Sequence, residues 1–391
     1  MISFDQAVAR VLRAAWRLPV EPVPLPHALG RVLAETLHAD IDMPPFNKSS
    51  MDGYACRMTE ASQTLRVLEH VPAGKVPRFL IAPGTCSKVM TGAPVPEGAD
   101  CVLIVEEVEA LGDGTIRFTG SHPKGNIVLQ GSDLRAGDCI LDAGTLLRPQ
   151  HLPVLASAGH TQPQVHQRPR VGVIATGDEL VLPTDIPGPG QIRNSNSAQL
   201  VGLAREAGAL AVDLGIARDN EADLRAAWER ALTERDVVLS TGGVSMGDYD
   251  LVPDILRHHG FEIHFDRVAI QPGKPVLFGT RGDKACFGLS GNPVSSFLQF
   301  MLFVEPFLRA LQGTKSQARI VPLLLGETFT RRNPGRMGWV PVRIDATGQI
   351  RAIEFHGSAH INAFTGADGL IAFPVNVGAL EEGDVVPVRL L

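Results

Sequence analysis

Between Arg170 and Leu311, short apolar runs alternate with stretches of helical period, and this alternation restricts the fold more than any other feature of the chain. Residues 171–175 form a short run suited to a buried strand, 198–207 have helical spacing, and 212–216 are strand-like again. Asp219 or Asn220 caps a helix ending near Glu234, and 237–240 read as a strand. Residues 251–258 are helical in spite of Pro253, and 276–279 and 286–289 are strands. Asn292-Pro293 then opens a long helix to about Leu311, with a kink expected at Pro306. Strand and helix in turn predict a mostly parallel sheet with helices on both faces.

The flanking regions read differently. Ser3 and Gln6 have capping-box spacing, and Phe4, Ala7, Val8, Val11, Leu12 and Ala15 follow on one helical face. Pro19, Pro22, Pro24 and Pro26 end that helix. Residues 54–140 hold short β-like runs, such as 65–68, 86–90 and 101–105, broken by Gly and Pro, and a short helical pattern returns at 148–158. From 320 to 391 only strand-like runs remain (321–325, 339–344, 370–373, 385–390), which predicts a small β-barrel or sandwich. A chain of 391 residues with 44% apolar content can build several such cores.

Charge and cysteine usage narrow the function. The formal net charge is −6 and no Lys/Arg run occurs, so nucleic acid is not an expected partner. Cys56, Cys86, Cys101, Cys139 and Cys286 are odd in number and contain no CxxC pair, which suits reduced thiols. The start lacks a signal-peptide pattern, and no run approaches the roughly 18 apolar residues of a membrane span. A cytoplasmic protein without membrane contact is the expectation. His258, His259, His264, His356 and His360 read as surface or core residues rather than metal ligands.

Ligands of open α/β sheets sit beyond the carboxyl ends of the strands. The loops there read Thr176-Gly177-Asp178-Glu179, the 241–250 segment with Thr241, Gly242, Gly243, Ser245, Asp248 and Asp250, Pro272-Gly273-Lys274-Pro275, and Ser290-Gly291-Asn292-Pro293. Glycines let backbone N–H groups approach an anion, and helix N-termini add positive character. Carboxylates beside such a cradle make sense if they hold Mg²⁺, and Asp178, Glu179, Asp248 and Asp250 are suited to that. Asp219 is either a further ligand or a helix cap, Asp52 before Gly53 is equally a turn residue, and Lys274 between prolines is equally a solvated lysine. These loops predict a phosphate- or nucleotide-binding site and leave the reaction open.

The same loops resemble the molybdopterin molybdenumtransferase family, which includes the E domain of gephyrin. The resemblance runs from end to end through Pro44-Pro45-Phe46, Ser50-Met51-Asp52-Gly53-Tyr54-Ala55 and Met90-Thr91-Gly92-Ala93-Pro94. It continues through Ala175-Thr176-Gly177-Asp178-Glu179-Leu180, Arg193-Asn194-Ser195-Asn196, the 241–250 loop, 272–275 and Gly291-Asn292-Pro293-Val294-Ser295. It implies a multidomain α/β plus β fold in an elongated subunit that forms a homodimer. Residues 1–42 and 137–169 would make one discontinuous domain, 43–136 an inserted β-rich domain, 170–315 the α/β molybdopterin-binding domain, and 316–391 a C-terminal β-barrel.

The implied activity is insertion of molybdenum from molybdate into adenylylated molybdopterin, with Mg²⁺-dependent release of AMP. The resemblance implies Glu179, Asp219 and Asp250 as metal ligands, and Asp52 and Thr91 as active-site residues that could complete the partner subunit's site. Asp133 is a further acidic position of the family, with a structural role as the alternative. Lys274, Arg336 and Ser358 resemble the family's oxyanion-binding positions, with Pro275, Asn292, Pro293 and Ser295 beside them. Molybdopterin adenylyltransferase and apo-molybdoenzymes are the implied protein partners. Four departures bear on anion affinity: Gln271 where some relatives carry a second lysine, Ser290, Pro253 and Ala359. Rival readings are the adenylyltransferase itself, a tungsten insertase and an E-domain scaffold. The long flanking regions disfavour the first, and the retained carboxylates disfavour the last.

Overall fold

The computed structural model describes residues 1–243, 252–314 and 318–391, and the chain divides into two compact units. One comprises Thr36–Asp142 with Gln150–Thr161, and the other comprises Met1–Glu35, Ala143–Pro149 and Gln162–Leu391.

The smaller unit is built on a six-stranded sheet in the order Cys101–Ile104, Gly53–Cys56, Thr85–Val89, Thr64–Val71, Thr115–Phe118, Val108–Ala110. All neighbours are antiparallel except Thr64–Val71 and Thr85–Val89. Leu65, Leu103 and Ile116 pack with Cys56, Cys86 and Cys101 in its core.

In the larger unit the expected strand–helix alternation forms a mixed sheet. Its order is Leu210–Ala217, Arg170–Thr176, Val237–Thr241, Lys284–Leu289, Pro275–Arg281, Glu262–Arg267. The first four strands pair in parallel, Pro275–Arg281 runs against both its neighbours, and Glu262–Arg267 points with the first four again, so the sheet is mostly parallel, as expected, with one reversed strand. The cause is local: only Gly282 and Asp283 separate the paired residues Arg281 and Lys284. A two-residue link makes a hairpin, whereas a parallel crossover needs a dozen residues or more.

Two cores sandwich this sheet because successive strand residues face opposite ways. Val171 and Val173 pack with Leu200, Ala204, Phe303 and Phe307 on one face. Ile174 packs with Leu224, Trp228, Ile255 and Leu256 on the other. Each fully buried Leu or Phe contributes about 1.5–3 kcal/mol. The N-terminal helix Phe4–Arg13 has the capping box read from Ser3 and Gln6, and it buries Ala7 and Val11. Leu12 falls off that face and is 44% exposed, against expectation.

The long helix after Asn292 is continuous to Leu311 and becomes irregular just before Pro306. Pro293–Gln299 and Glu305–Leu311 flank a π-helical turn, Phe300–Val304. Pro306 has no N–H to return to the Leu302 carbonyl, so the irregular turn lies just upstream. By length and composition alone Pro293–Leu311 could cross a membrane. Phe300, Phe303 and Phe307 are fully buried in the core, as in an interior helix.

The C-terminal sheet runs Ile270–Gln271, Met337–Ile344, Gly369–Phe373, Val385–Leu390, Ile320–Leu324, with Ile350–Ala352 beside Met337–Ile344. Leu325 bridges to Ile350, so the pairing returns on itself beyond Ile320–Leu324. Its outermost strand, Ile270–Gln271, comes from the α/β block and pairs parallel with Met337 and Gly338.

Candidate active site

The parallel strands bring their following loops to one end of the sheet, as in other open α/β folds. A cleft of about 680 Å³ opens there within the larger unit. Glu179, Gly242, Gly243, Ser290, Asn292 and Ser295 line it from the strand-end loops and the start of the helix Pro293–Gln299. Gln271, Lys274 and Pro275 contribute from the loop before Pro275–Arg281, and Arg336 and Ser358 from the C-terminal region. Side chains nearly 180 residues apart in sequence thus share one cavity.

Buried polar residues set these loops. Asn196 donates to Thr241 Oγ1 and to the Gly291 carbonyl, both at 2.8 Å, and Thr241 Oγ1 donates to the Ser290 carbonyl at 3.0 Å. Gln299, wholly buried, joins two loops at once. Its Nε2 donates to the carbonyls of Gly273 (2.9 Å) and Pro275 (2.6 Å), and its Oε1 accepts from the Ser290 N–H at 2.7 Å. At Gly242 (φ 91°) a Cβ would stand 2.3 Å from the Thr176 carbonyl oxygen, so only glycine lets the backbone pass so close.

Two residues assigned to ligand binding therefore have another place. Thr176 and Thr241 are 4% and 2% exposed and lie outside the cleft lining. Thr241 positions the loops through its bonds with Asn196 and the Ser290 carbonyl, whereas Thr176 Oγ1 is buried without a partner among the described residues. Gly177, Asp178 and Pro293 are likewise outside the lining. Pro293 occupies the first helical turn, and its carbonyl accepts from Gln199 Nε2 and the Ser296 hydroxyl.

On the acidic side, Asn220 is the cap of helix Glu221–Glu234: its side chain accepts from the Asp223 N–H. Asp219 therefore does not serve as the cap. Its N–H donates to Asp178 Oδ1 at 3.2 Å. Burial first, then the neighbouring charges of Asp178 and Glu179, push the Asp219 carboxyl above the usual carboxylate range. A cation would relieve that repulsion, and hard carboxylate oxygens suit Mg²⁺. Among the described residues no three acidic, His or Cys side chains converge as a metal site on their own. Asp250, the expected third ligand, lies outside the described residues with Ser245 and Asp248.

On the basic side, Lys274 is exposed in the cleft and Arg336 half-buried. Arg336 is oriented by donating to the Ile270 carbonyl at 3.1 Å. The Ser358 carbonyl accepts from the Val294 N–H at 3.1 Å, tying that loop to the first turn of Pro293–Gln299. Gln271 lines the cleft, and its Oε1 is buried without a hydrogen-bond partner. The cleft thus offers fixed positive charge and hydroxyl donors for an anion, with a carboxylate able to take a cation.

Asp52 and Thr91 belong to the other unit, where they form a pair of their own. Asp52 Oδ1 accepts from the Thr91 N–H (2.6 Å) and hydroxyl (2.7 Å). These two bonds, the backbone one first, hold the exposed Asp52 carboxyl below its usual range. Asp133 lies in the same unit, and its N–H donates to the Met43 carbonyl at 3.0 Å.

Comparison with known proteins decides the family. Residues 2–159 match the MoeA N-terminal region (domains I and II), 172–310 a probable molybdopterin binding domain, and 327–391 the MoeA C-terminal region (domain IV). The molybdopterin molybdenumtransferase of Staphylococcus epidermidis is 34% identical over 400 aligned positions, covering 100% of this chain and 95% of the relative. The chain belongs to the molybdopterin molybdenumtransferase family. A Staphylococcus aureus member is 35% identical, covering 85% of this chain and 81% of that one. The crystal structure of the molybdopterin biosynthesis MoeA protein from Pyrococcus horikoshii OT3 superposes with a TM-score of 0.85 at 30% identity over the full length of both chains. Membership makes the chain a transferase of molybdenum cofactor biosynthesis and agrees with the multidomain α/β architecture.

The positioning residues Asn196 and Gln299 were not among the expected site residues. A signal existed for Gln299, an amide in an otherwise apolar helical run. Such a group must find partners once buried.

Proposed function

We propose that the enzyme takes molybdate and adenylylated molybdopterin, places molybdenum on the dithiolene sulfurs and releases AMP in a Mg²⁺-dependent step. The observation that carries this reading is the meeting of Glu179 with Lys274 and Arg336 in a single cleft at the strand ends. Lys274 and Arg336 bind the tetrahedral molybdate dianion, and Ser358 supplies a hydroxyl donor. Gly242 and Gly243 leave the backbone open to phosphate oxygens. Glu179, Asp219 and Asp250 would hold Mg²⁺, with Asp178 keeping Asp219 in place. Mg²⁺ supplies positive charge for the pyrophosphate and for the charge developing on departing AMP.

The homodimer, the elongated four-domain subunit divided at 42, 136, 169 and 315, and a cytoplasmic location belong to the same reading. So does the closed C-terminal pairing as a small barrel. Asp52 and Thr91 would then complete the partner's site. The test is incubation with adenylylated molybdopterin, molybdate and Mg²⁺, following AMP. Release that depends on both ions is expected, and release unchanged when both are withdrawn would overturn the mechanism.

A further inference from the structure

The larger unit holds a second cleft, of about 950 Å³, at the opposite end of the α/β sheet. Arg170, Asp236 and Asp283 line it, and they stand at or just before the beginnings of three strands whose far ends carry the candidate active site. The other wall comes from Trp16–Pro19, Glu21, the segment between Pro26 and Arg31, and Gln167 and Arg168. None of its lining residues is shared with the active-site cleft.

Four arginines reach this cavity, and three have partners. Arg170 is held by Asp236 at 2.7 Å. Arg31 pairs with Glu21 and donates to the His166 carbonyl. Arg17 donates to the Ala310 carbonyl. Arg168 makes no hydrogen bond or ion pair among the described residues, and its Nε is sealed from solvent without an acceptor. Burial, then the adjacent Arg31 charge, draws its pKa down, only partly offset by Glu21. A guanidinium carries five donors; Arg168 is half-buried, and its two terminal nitrogens, unlike Nε, are not sealed from solvent and have no partner among the described residues. Apolar surface stands beside it: Trp16, fixed edge-on against Phe307, with Leu29 and Leu210 about half exposed at 48% and 52%.

We propose that this cleft is a second binding site, for a small organic anion whose phosphate or carboxylate group pairs with Arg168 while an apolar body lies against Trp16 and Leu210. The anion supplies an acceptor for the terminal nitrogens of Arg168, which present a planar fork that matches either oxyanion. The proposal does not depend on the chemistry of the first cleft.

Calorimetric titration with 1-naphthyl phosphate, 1-naphthoate and neutral 1-naphthalenemethanol tests it on the full chain. Saturable binding of at least one of the two anions is expected, and their ratio tells phosphate from carboxylate. Binding should persist in the Lys274→Ala/Arg336→Ala double variant. It should weaken by about ten- to a hundredfold in Arg168→Gln and recover in part in Arg168→Lys. Leu210→Glu, a change at an exposed position, should weaken it as well, which keeps the test valid if Arg168→Gln unfolds. No saturable binding, equal binding of the neutral compound, or loss in the Lys274→Ala/Arg336→Ala variant with retention in Arg168→Gln would overturn the proposal.

Discussion

Gln299→Met removes the amide that joins two loops of the cleft while keeping the length of the side chain. Three backbone groups lose their partner: the carbonyls of Gly273 and Pro275 and the N–H of Ser290. Each buried polar group left unpaired costs about 1–3 kcal/mol. The two carbonyls border an open cleft where water recovers part of the loss, so a net local cost of roughly 3 kcal/mol is expected. That corresponds to an increase of about a hundredfold in the exchange rate of the Ser290 amide, read by hydrogen exchange over the segment 288–300. Lys274 lies between the two freed carbonyls, so the half-saturating molybdate concentration should rise about tenfold as the loop loses its preset geometry. Gln299→Glu separates the two effects. Its carboxylate still accepts from Ser290 but repels both carbonyls, so Ser290 stays protected while molybdate binding weakens. Wild-type exchange at Ser290 together with unchanged molybdate dependence in Gln299→Met would refute this latch.

Other outcomes follow from the same geometry. Lys274→Ala should raise the half-saturating molybdate concentration by about ten- to a hundredfold, whereas Glu179→Ala should depress AMP release at every molybdate concentration. Gln271→Lys should tighten molybdate binding in the same titration. Thr91→Val removes one of the two bonds that depress Asp52, so the Asp52 pKa, followed by carboxyl carbon NMR, should rise toward 3.8. A depressed carboxyl stabilises the fold above its unfolded pKa and loses that contribution as pH falls through the folded value, so the variant should show a weaker acid-side decline. Asp52→Ala and Glu179→Ala subunits, each inactive alone, should regain part of the activity when mixed, and no recovery after proven exchange would count against a composite site.

Much of this was legible in the sequence because local rules and tertiary packing agree. The Ser3–Gln6 capping box forms as read, and the strand ends at Glu179, Gly242 and Asn292 do meet. The direction of Pro275–Arg281 was not legible from its apolar run, since buried strands of either sense are apolar throughout. The Gly282-Asp283 turn held that information. Asp219 and Asn220 are both competent caps, and only backbone geometry selects Asn220 and leaves Asp219 among its acidic neighbours. Thr176 and Thr241 look like loop hydroxyls in sequence, yet the last residue of a central strand is still core. The contributions of Arg336 and Ser358 rest on contacts between distant segments, which no local period encodes.

The loan of Ile270–Gln271 to the C-terminal sheet has a practical consequence for dissecting the enzyme. Cutting the chain near 318 would look like a cut between modules, yet it would strip Met337 and Gly338 of their hydrogen-bonding neighbour. A bare edge recruits other strands, so a fragment of 318–391 expressed alone should self-associate. The fragment ending before 318 should be destabilised too, because Trp339 and Leu370 belong to the core of the α/β block and Arg389 pairs with Glu305. Supplying the short piece in trans should then rebuild the cleft by strand addition, making this seam a natural place to split the enzyme into two complementing halves.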